Sequence, residues 1–110
     1  MIKQLPQKPI LCAGRLYCDL VFTGAAQLPE LGKEIFAEGL SLHAGGGAFI
    51  TAATLSSLGR AASLLATLPA HPFDNPVKAD LEKSRVDSGL CVKADKGASP
   101  QLTVAMTQKD

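Results

Sequence analysis

The sequence is poor in aromatic residues: it has no tryptophan, one tyrosine and four phenylalanines among its 110 residues. A hydrophobic core must therefore be built from Ala, Leu, Val and Ile, which suits a chain whose residues are 46% apolar. Only 19% of the residues are charged, and this composition indicates a packed core and argues against disorder. Because the length is that of one ordinary domain, we predict a single unit over residues 1–110.

Other absences narrow the class of protein. No apolar run approaches the length of a membrane span, and the apolar run near the amino terminus is too short for a signal peptide. The 11 Lys and Arg residues are scattered, and the formal net charge is +1. The sequence therefore lacks the basic stripe that would indicate nucleic-acid binding. We therefore expect neither a membrane nor a nucleic acid among the partners.

Cysteine is also scarce. Cys12, Cys18 and Cys91 are odd in number and lack paired spacing, which argues against a disulfide framework and against a zinc site. Cys12 lies in an apolar run, where a free cysteine usually packs as a small hydrophobic side chain. We expect a cytoplasmic location, no metal held by this stretch and no catalytic thiol.

Short apolar runs predict the strands. Buried strands are expected at residues 9–13 and in "AASLLATL", because each is a brief apolar run bounded by turn residues. A half-exposed strand with an irregularity at Gly39 is expected near 34–43. The remaining strands are predicted near 19–23 and, around residues 90–106, in "GLCVKAD" and "PQLTVAMTQ".

Two helices are predicted between these strands. Residues 48–58 contain neither proline nor glycine, and Gly59 is well placed to end that helix. Asn75 followed by Pro76 is typical of an N-cap and first helical residue, so "VKADLEKS" is predicted to be a short amphipathic helix. Strands that alternate with helices favour an α/β fold, and the surplus strands are expected to form a small second sheet.

The glycines of "HAGGGAFITAATLSSLG" stand directly before the first predicted helix. Gly45, Gly46 and Gly47 could leave backbone N–H groups open to an anion or polar ligand at the positive end of the helix dipole. They could equally serve only to turn the chain. The stretch lacks the Gly-Lys-Ser/Thr of a phosphate loop and the spacing of a dinucleotide fingerprint, which leaves a nucleotide-binding module poorly supported.

Asp19 lies among apolar neighbours at the end of the first strand region. Carboxylates are seldom buried without a partner, so this one could face a ligand and accept hydrogen bonds from hydroxyl groups. It could also cap a local turn, and its position alone does not decide between the two.

Four stretches together resemble the amino-terminal part of the PfkB, or ribokinase-like, sugar kinases. In the order of that family they are "ILCAGRLYCDLV", "LPELGKEIFAEGLSLHAGGGAFITAATLSSLG", "PFDNPVKADLEKSRVDSGL" and "ASPQLTVAM". The resemblance covers nearly the whole chain. It implies a truncated three-layer α/β/α fold with a small β lid, and transfer of the γ-phosphoryl group of ATP, with Mg²⁺, to a hydroxyl of a sugar or nucleoside.

The resemblance also implies roles for individual residues. Asp19 is expected to bind sugar hydroxyls, and Gly45 and Gly46 to bring backbone amides to the sugar, with Gly47 and Ser99 as weaker candidates. Ile50 stands where the family commonly has a substrate-contacting asparagine, and Tyr17 replaces a second asparagine. These departures, with Pro69, Ala70 and His71 in place of the usual Gly-Asp turn, are compatible with a less polar substrate or with lost activity.

The family's catalytic base lies in a Gly-x-Gly-Asp motif, and the sequence contains no such motif. The resemblance therefore implies that the base and most of the ATP site lie in a later part of a kinase, and that this stretch alone is inactive. A second hypothesis is a non-catalytic module that binds a small ligand or pairs with a second copy. A truncated sheet would leave unpaired strand edges that invite self-association, and we expect a homodimer formed through the lid strands.

Overall fold

The computed structural model describes residues 7–109. The elements follow one another as β1 (Ile10–Ala13), β2 (Tyr17–Ala25), β3 (Gly39–Gly45), α1 (Gly47–Ser57), β4 (Ala62–Leu65), α2 (Asp74–Ser84) and β5 (Leu102–Gln108). No helix within the described residues is both long enough and apolar enough to cross a bilayer.

Strands β1 and β4 form a two-stranded parallel sheet whose register runs from Ile10 opposite Ala62 to Ala13 opposite Leu65. Because successive side chains of a strand point to opposite faces of the sheet, one face carries Cys12, Ala62 and Leu64, which are buried in the core. The opposite face carries Leu11 and Leu65, which remain 56% and 43% exposed. Parallel sheets are ordinarily covered on both faces, so this one presents a bare apolar face.

Both helices contribute to the single core cluster on the covered face. Helix α1 contacts β1 and β4 and buries Phe49 and Ala52, while α2 buries Val77 and Leu81. The fully buried side chain of Leu16, in the connection between β1 and β2, joins the same cluster. The α/β fold predicted from the sequence is confirmed.

Strands β2, β3 and β5 form a second, three-stranded sheet, here called the small sheet, in the order β3-β2-β5. β2 pairs antiparallel with β3 and parallel with β5, so the surplus strands do make a separate sheet. One of its faces begins at the core with Cys18 and Ala44, which are buried. Farther out, the same face exposes apolar side chains, here called the distal apolar face: Leu40 at 51%, Val104 at 60% and Met106 at 40%.

The glycine-led helix lies where the sequence predicts it. α1 ends at a C-cap on Leu58, and Gly59 has a φ of +85°, the left-handed conformation that glycine adopts most readily after a helix. A turn is also present at residues 95–98, with the Ala98 amide donating to the Asp95 carbonyl at 3.0 Å.

Two strand predictions need correction. The strand expected near 34–43 begins only at Gly39, because the preceding residues form a loop held against β2 by the Glu38 amide, which donates to the Thr23 carbonyl at 2.9 Å. The strand expected in "GLCVKAD" is wrong: within the described residues that segment makes one isolated bridge, between Val92 and Thr67. Turns on both sides of the bridge, at residues 88–91 and 95–98, leave too few residues to continue the pairing.

The predicted start of the second helix is also wrong. α2 begins at Asp74, and its N-cap position is Phe73, which provides no side-chain cap. The preceding residues already turn, since the Phe73 amide donates to the Ala70 carbonyl at 2.9 Å. Pro76 consequently sits inside the first helical turn, where its missing N–H removes no intrahelical bond.

Candidate functional site

Asp19 lies on β2 with a partner on each side. Its register partners are His43 on β3 and Thr103 on β5, and all three belong to the face of the small sheet opposite the core. The Thr103 hydroxyl Oγ1 donates to Asp19 Oδ1 at 2.5 Å. This hydrogen bond fixes the orientation of the carboxylate and leaves lone pairs of Oδ2 available to a ligand.

Gly45 has a specific steric role beside this carboxylate. A Cβ atom at residue 45 would overlap both oxygens of Asp19, so the carboxylate lies directly over the glycine backbone. Any larger residue would displace the Asp19 side chain. Gly45 therefore leaves the space that the Asp19 carboxylate occupies, in addition to turning the chain into α1.

Gly46 is required for the backbone itself. It occupies the N-cap of α1 with a φ of +104°, and a Cβ there would overlap the Arg15 carbonyl oxygen. The ring of Tyr17 lies alongside, with its Cδ2 atom 3.3 Å from the place of that Cβ. The sequence left open whether this glycine serves a ligand or only the path of the chain. The structure gives a direct cause for the second role, because the Arg15 backbone passes too close for a side chain.

Gly47 and Ile50 lie on the exposed side of the amino-terminal turn of α1. A side chain at Gly47 would meet nothing within 4 Å, and Ile50 is 58% exposed. The first intrahelical bond runs from the Ile50 amide to the Gly46 carbonyl at 3.0 Å, so the three preceding N–H groups have no partner within the helix. No acidic residue lies in that first turn, which leaves the positive end of the dipole uncompensated by the helix's own sequence.

The structure thus brings five of the predicted residues into one region: Asp19 contacts Gly45, and Gly46 and Gly47 lead directly into the turn that carries Ile50. Ser99 is exposed in the loop before β5, and among residues 7–109 it forms no side-chain hydrogen bond to this group. Thr103 is the residue that the sequence prediction missed. The alternating pattern of "LTVAMTQ" places it on the polar face of β5, but the pairing partner of β5 was needed to bring it to Asp19.

Asp80 of α2 holds the free edge of β3. Its Oδ2 atom accepts a hydrogen bond from the Ala44 amide at 2.8 Å and lies 3.9 Å from Nδ1 of His43. Burial, together with the charges of Asp19 and Asp80, raises the pKa of the Cys18 thiol. Cys18 therefore stays protonated and packs as part of the core.

A separate groove of about 450 Å³ lies between the start of α2 and the loop before β5. Lys78, Lys93 and Lys96 line it together with Asp74. The Lys78 hydrogen bond, at 2.9 Å, is the main cause that lowers the pKa of Asp74, with a further contribution from His71. None of the residues predicted for the site lines this groove, and its carboxylates partly offset its lysines.

No protein family matches the sequence, and no curated protein matches it. Solved structures do match. A putative ribokinase from Agrobacterium tumefaciens is 23% identical with a TM-score of 0.76, over 94% of this chain and 33% of that one. Arabidopsis thaliana ribokinase in complex with ribose and ATP is 20% identical with a TM-score of 0.76, over 93% and 33%. A nucleoside kinase of the ribokinase family from Methanocaldococcus jannaschii is 22% identical with a TM-score of 0.74, over 94% and 34%.

The chain spans about a third of the length of these structures. It has the ribokinase-like fold and corresponds to an N-terminal portion of it. At these identities the likeness establishes the fold, while substrate and activity must be argued from the residues of the site.

Proposed function

We propose that the chain forms the N-terminal, sugar-facing part of an ATP-dependent carbohydrate or nucleoside kinase. The observation that carries the proposal is the Asp19 carboxylate, which is oriented by Thr103 and lies over the bare backbone of Gly45. An ionised carboxylate accepts hydrogen bonds from two hydroxyl groups at once, and the missing side chains let a sugar ring approach the backbone. The ribose- and ATP-bound state of the similar Arabidopsis ribokinase supports this class of ligand.

The phosphoryl-transfer chemistry is assigned to parts of such a kinase outside this stretch. ATP supplies the γ-phosphoryl group, and Mg²⁺ would neutralise the charge on its phosphates. The described residues contain no group of three His, Cys, Asp or Glu side chains that could hold a metal ion. The proposed contribution of this chain is to bind and orient the acceptor hydroxyl, in a reducing cytoplasmic setting that suits its three free thiols.

Replacing the site carboxylate tests this assignment. Asp19→Asn keeps the size of the side chain but removes the charge, so we expect the affinity for ribose, or for a nucleoside containing it, to fall about 10- to 100-fold. Calorimetric titration of the purified chain measures the affinity. Asp95→Asn, at an exposed turn, is the matched control and should bind as the unaltered chain does. Equal ligand affinities of the Asp19→Asn variant and the unaltered chain would contradict the proposal.

We also propose a second candidate function, a dimerising module in which the chain pairs with a second copy through the small sheet. The observation that favours it is the exposed distal apolar face. The distal apolar face exposes Leu40 on β3 and Val104 and Met106 on β5, the two strands that flank β2. Contiguous exposed apolar surface of this kind usually marks an interaction site, and burying it against its own copy would create a symmetric interface.

Sedimentation equilibrium provides the measurement for this pairing. We expect a concentration-dependent dimer for the unaltered chain and a monomer for Val104→Glu, because a charge at a buried interface is costly. Val104 is 60% exposed in the single chain, so this substitution should leave the fold intact. A strictly monomeric unaltered chain at about 100 μM, a concentration far above an ordinary dimer dissociation constant, would contradict the proposal.

A further inference from the structure

Tyr17 occupies an unusual place beside the carboxylate of the site. It lies two residues before Asp19 on β2, on the same face of the strand, and its register partner Gly45 has no side chain to cover it. The ring passes alongside the backbone of Gly46 and is only partly buried. Tyr17 is not among the residues of the core cluster. It therefore offers an aromatic surface next to the acid without serving the core.

Ile50 provides a second apolar surface at the other end of the three glycines. Side chains on a helix lean toward its amino terminus and cover the preceding turn. The side chain of Ile50 accordingly lies over the turn that starts at Gly47, a position where an added Cβ would meet only open space. Its 58% exposure shows that the described part of the chain leaves this apolar surface uncovered.

The two apolar surfaces stand at opposite ends of the three glycines: Tyr17 is the register partner of Gly45, and Ile50 lies in the first turn of the helix that begins at Gly47. Asp19 lies over Gly45, and two residue steps of at most about 3.8 Å each separate the Cα atoms of Gly45 and Gly47. A ligand whose hydroxyl groups bind Asp19 and which extends along the glycines would meet Ile50, with the Tyr17 ring alongside. The site is polar at its centre and apolar on two sides.

We infer that Tyr17 and Ile50 are specificity-determining residues that select a nucleoside over a free sugar. The inference rests on the proposed function, since it concerns the same site. A hydroxyl of a free sugar turned toward Ile50 gains no hydrogen bond from that side chain, whereas an apolar group there would bury apolar surface against it. A nucleoside places its ribose hydroxyls on Asp19 and covers the two apolar side chains with its base, whose flat face suits the aromatic ring of Tyr17.

The test compares ribose with adenosine as calorimetric ligands of the purified chain. We expect adenosine to bind at least about tenfold more tightly, the size of discrimination that a few apolar contacts supply. Ile50→Asn and Tyr17→Asn should each reduce that preference several-fold. Leu58→Asn, at a residue 78% exposed just beyond the other end of α1, is the matched control and should keep the preference.

The outcomes separate this inference from the proposed function. If ribose and adenosine bind equally and Asp19→Asn weakens both, the selectivity is overturned while the sugar-facing role stands. A preference for adenosine that survives both Ile50→Asn and Tyr17→Asn overturns the assignment to these residues. If neither ligand binds the unaltered chain at millimolar concentration, both proposals fail.

Discussion

Gly45→Ala should abolish ligand binding and lower the free energy of unfolding by about 1–3 kcal/mol, the usual cost of forcing an extra group into a packed position. The new methyl group would overlap both oxygens of Asp19, so either the carboxylate leaves its hydrogen bond with Thr103 or β2 and β3 move apart. Both responses remove the oriented acid on which the proposed site depends. Urea unfolding measures the stability, and titration with ribose or adenosine measures the binding.

Two further variants test whether the overlap with the Asp19 carboxylate causes the loss of stability and binding in Gly45→Ala. Gly47→Ala adds the same methyl group where nothing lies within 4 Å, so stability should stay unchanged or rise slightly, because alanine is the better helix former. In the double variant Asp19→Ala/Gly45→Ala the overlapping carboxylate is gone, so most of the lost stability should return while binding stays absent. A Gly45→Ala chain that binds like the unaltered one would show that the carboxylate is free to relocate.

Leu16→Ala is expected to have the largest effect on folding, a loss of about 2–5 kcal/mol, as is typical when a buried leucine is truncated. Leu16 has no exposed surface, lies where the chain leaves β1 for β2, and belongs to the core cluster to which both helices contribute. A loss of this size is a large part of the 5–15 kcal/mol that stabilises an ordinary domain. Circular dichroism during urea unfolding measures it.

Leu11→Ala is the matched control for that measurement. It deletes the same atoms from β1, but Leu11 is 56% exposed on the bare face of the parallel sheet. Exposed substitutions usually change stability by no more than about 0.5 kcal/mol. Similar losses from the two variants would mean that the bare face is covered in solution, for example by a second copy of the chain.

The elements that depend on local pattern were predictable from the sequence. α1 and its terminating Gly59 follow from an uninterrupted helix-forming run and one residue suited to a left-handed φ. The start of α2 was not predictable in this way, because a turn at residues 70–73 already leads into the helix before the Asn75 and Pro76 pair. Tertiary context, which decides where such a turn can continue as a helix, overrode the local capping signal.

The candidate site, too, was predictable from the sequence only in part. Asp19 and the glycines could be singled out from residue type and position, since a carboxylate among apolar neighbours and glycines before a helix are both uncommon. The contact of Asp19 with Thr103 joins residues 84 positions apart, and no local pattern encodes that pairing. The steric reason for Gly45 also required the pairing of β2 with β3, because the overlapping atoms belong to a neighbouring strand.

The place of β5 in the small sheet has a consequence for biosynthesis. β5 is the last strand of the chain described here, yet it pairs along one entire side of β2. A ribosome-bound nascent chain that has not yet released β5 can form only the hairpin of β2 and β3, and an isolated two-stranded hairpin is marginally stable in water. The oriented Asp19 is therefore completed only once β5 has left the ribosome, well after the β1, α1 and β4 unit has had the opportunity to fold.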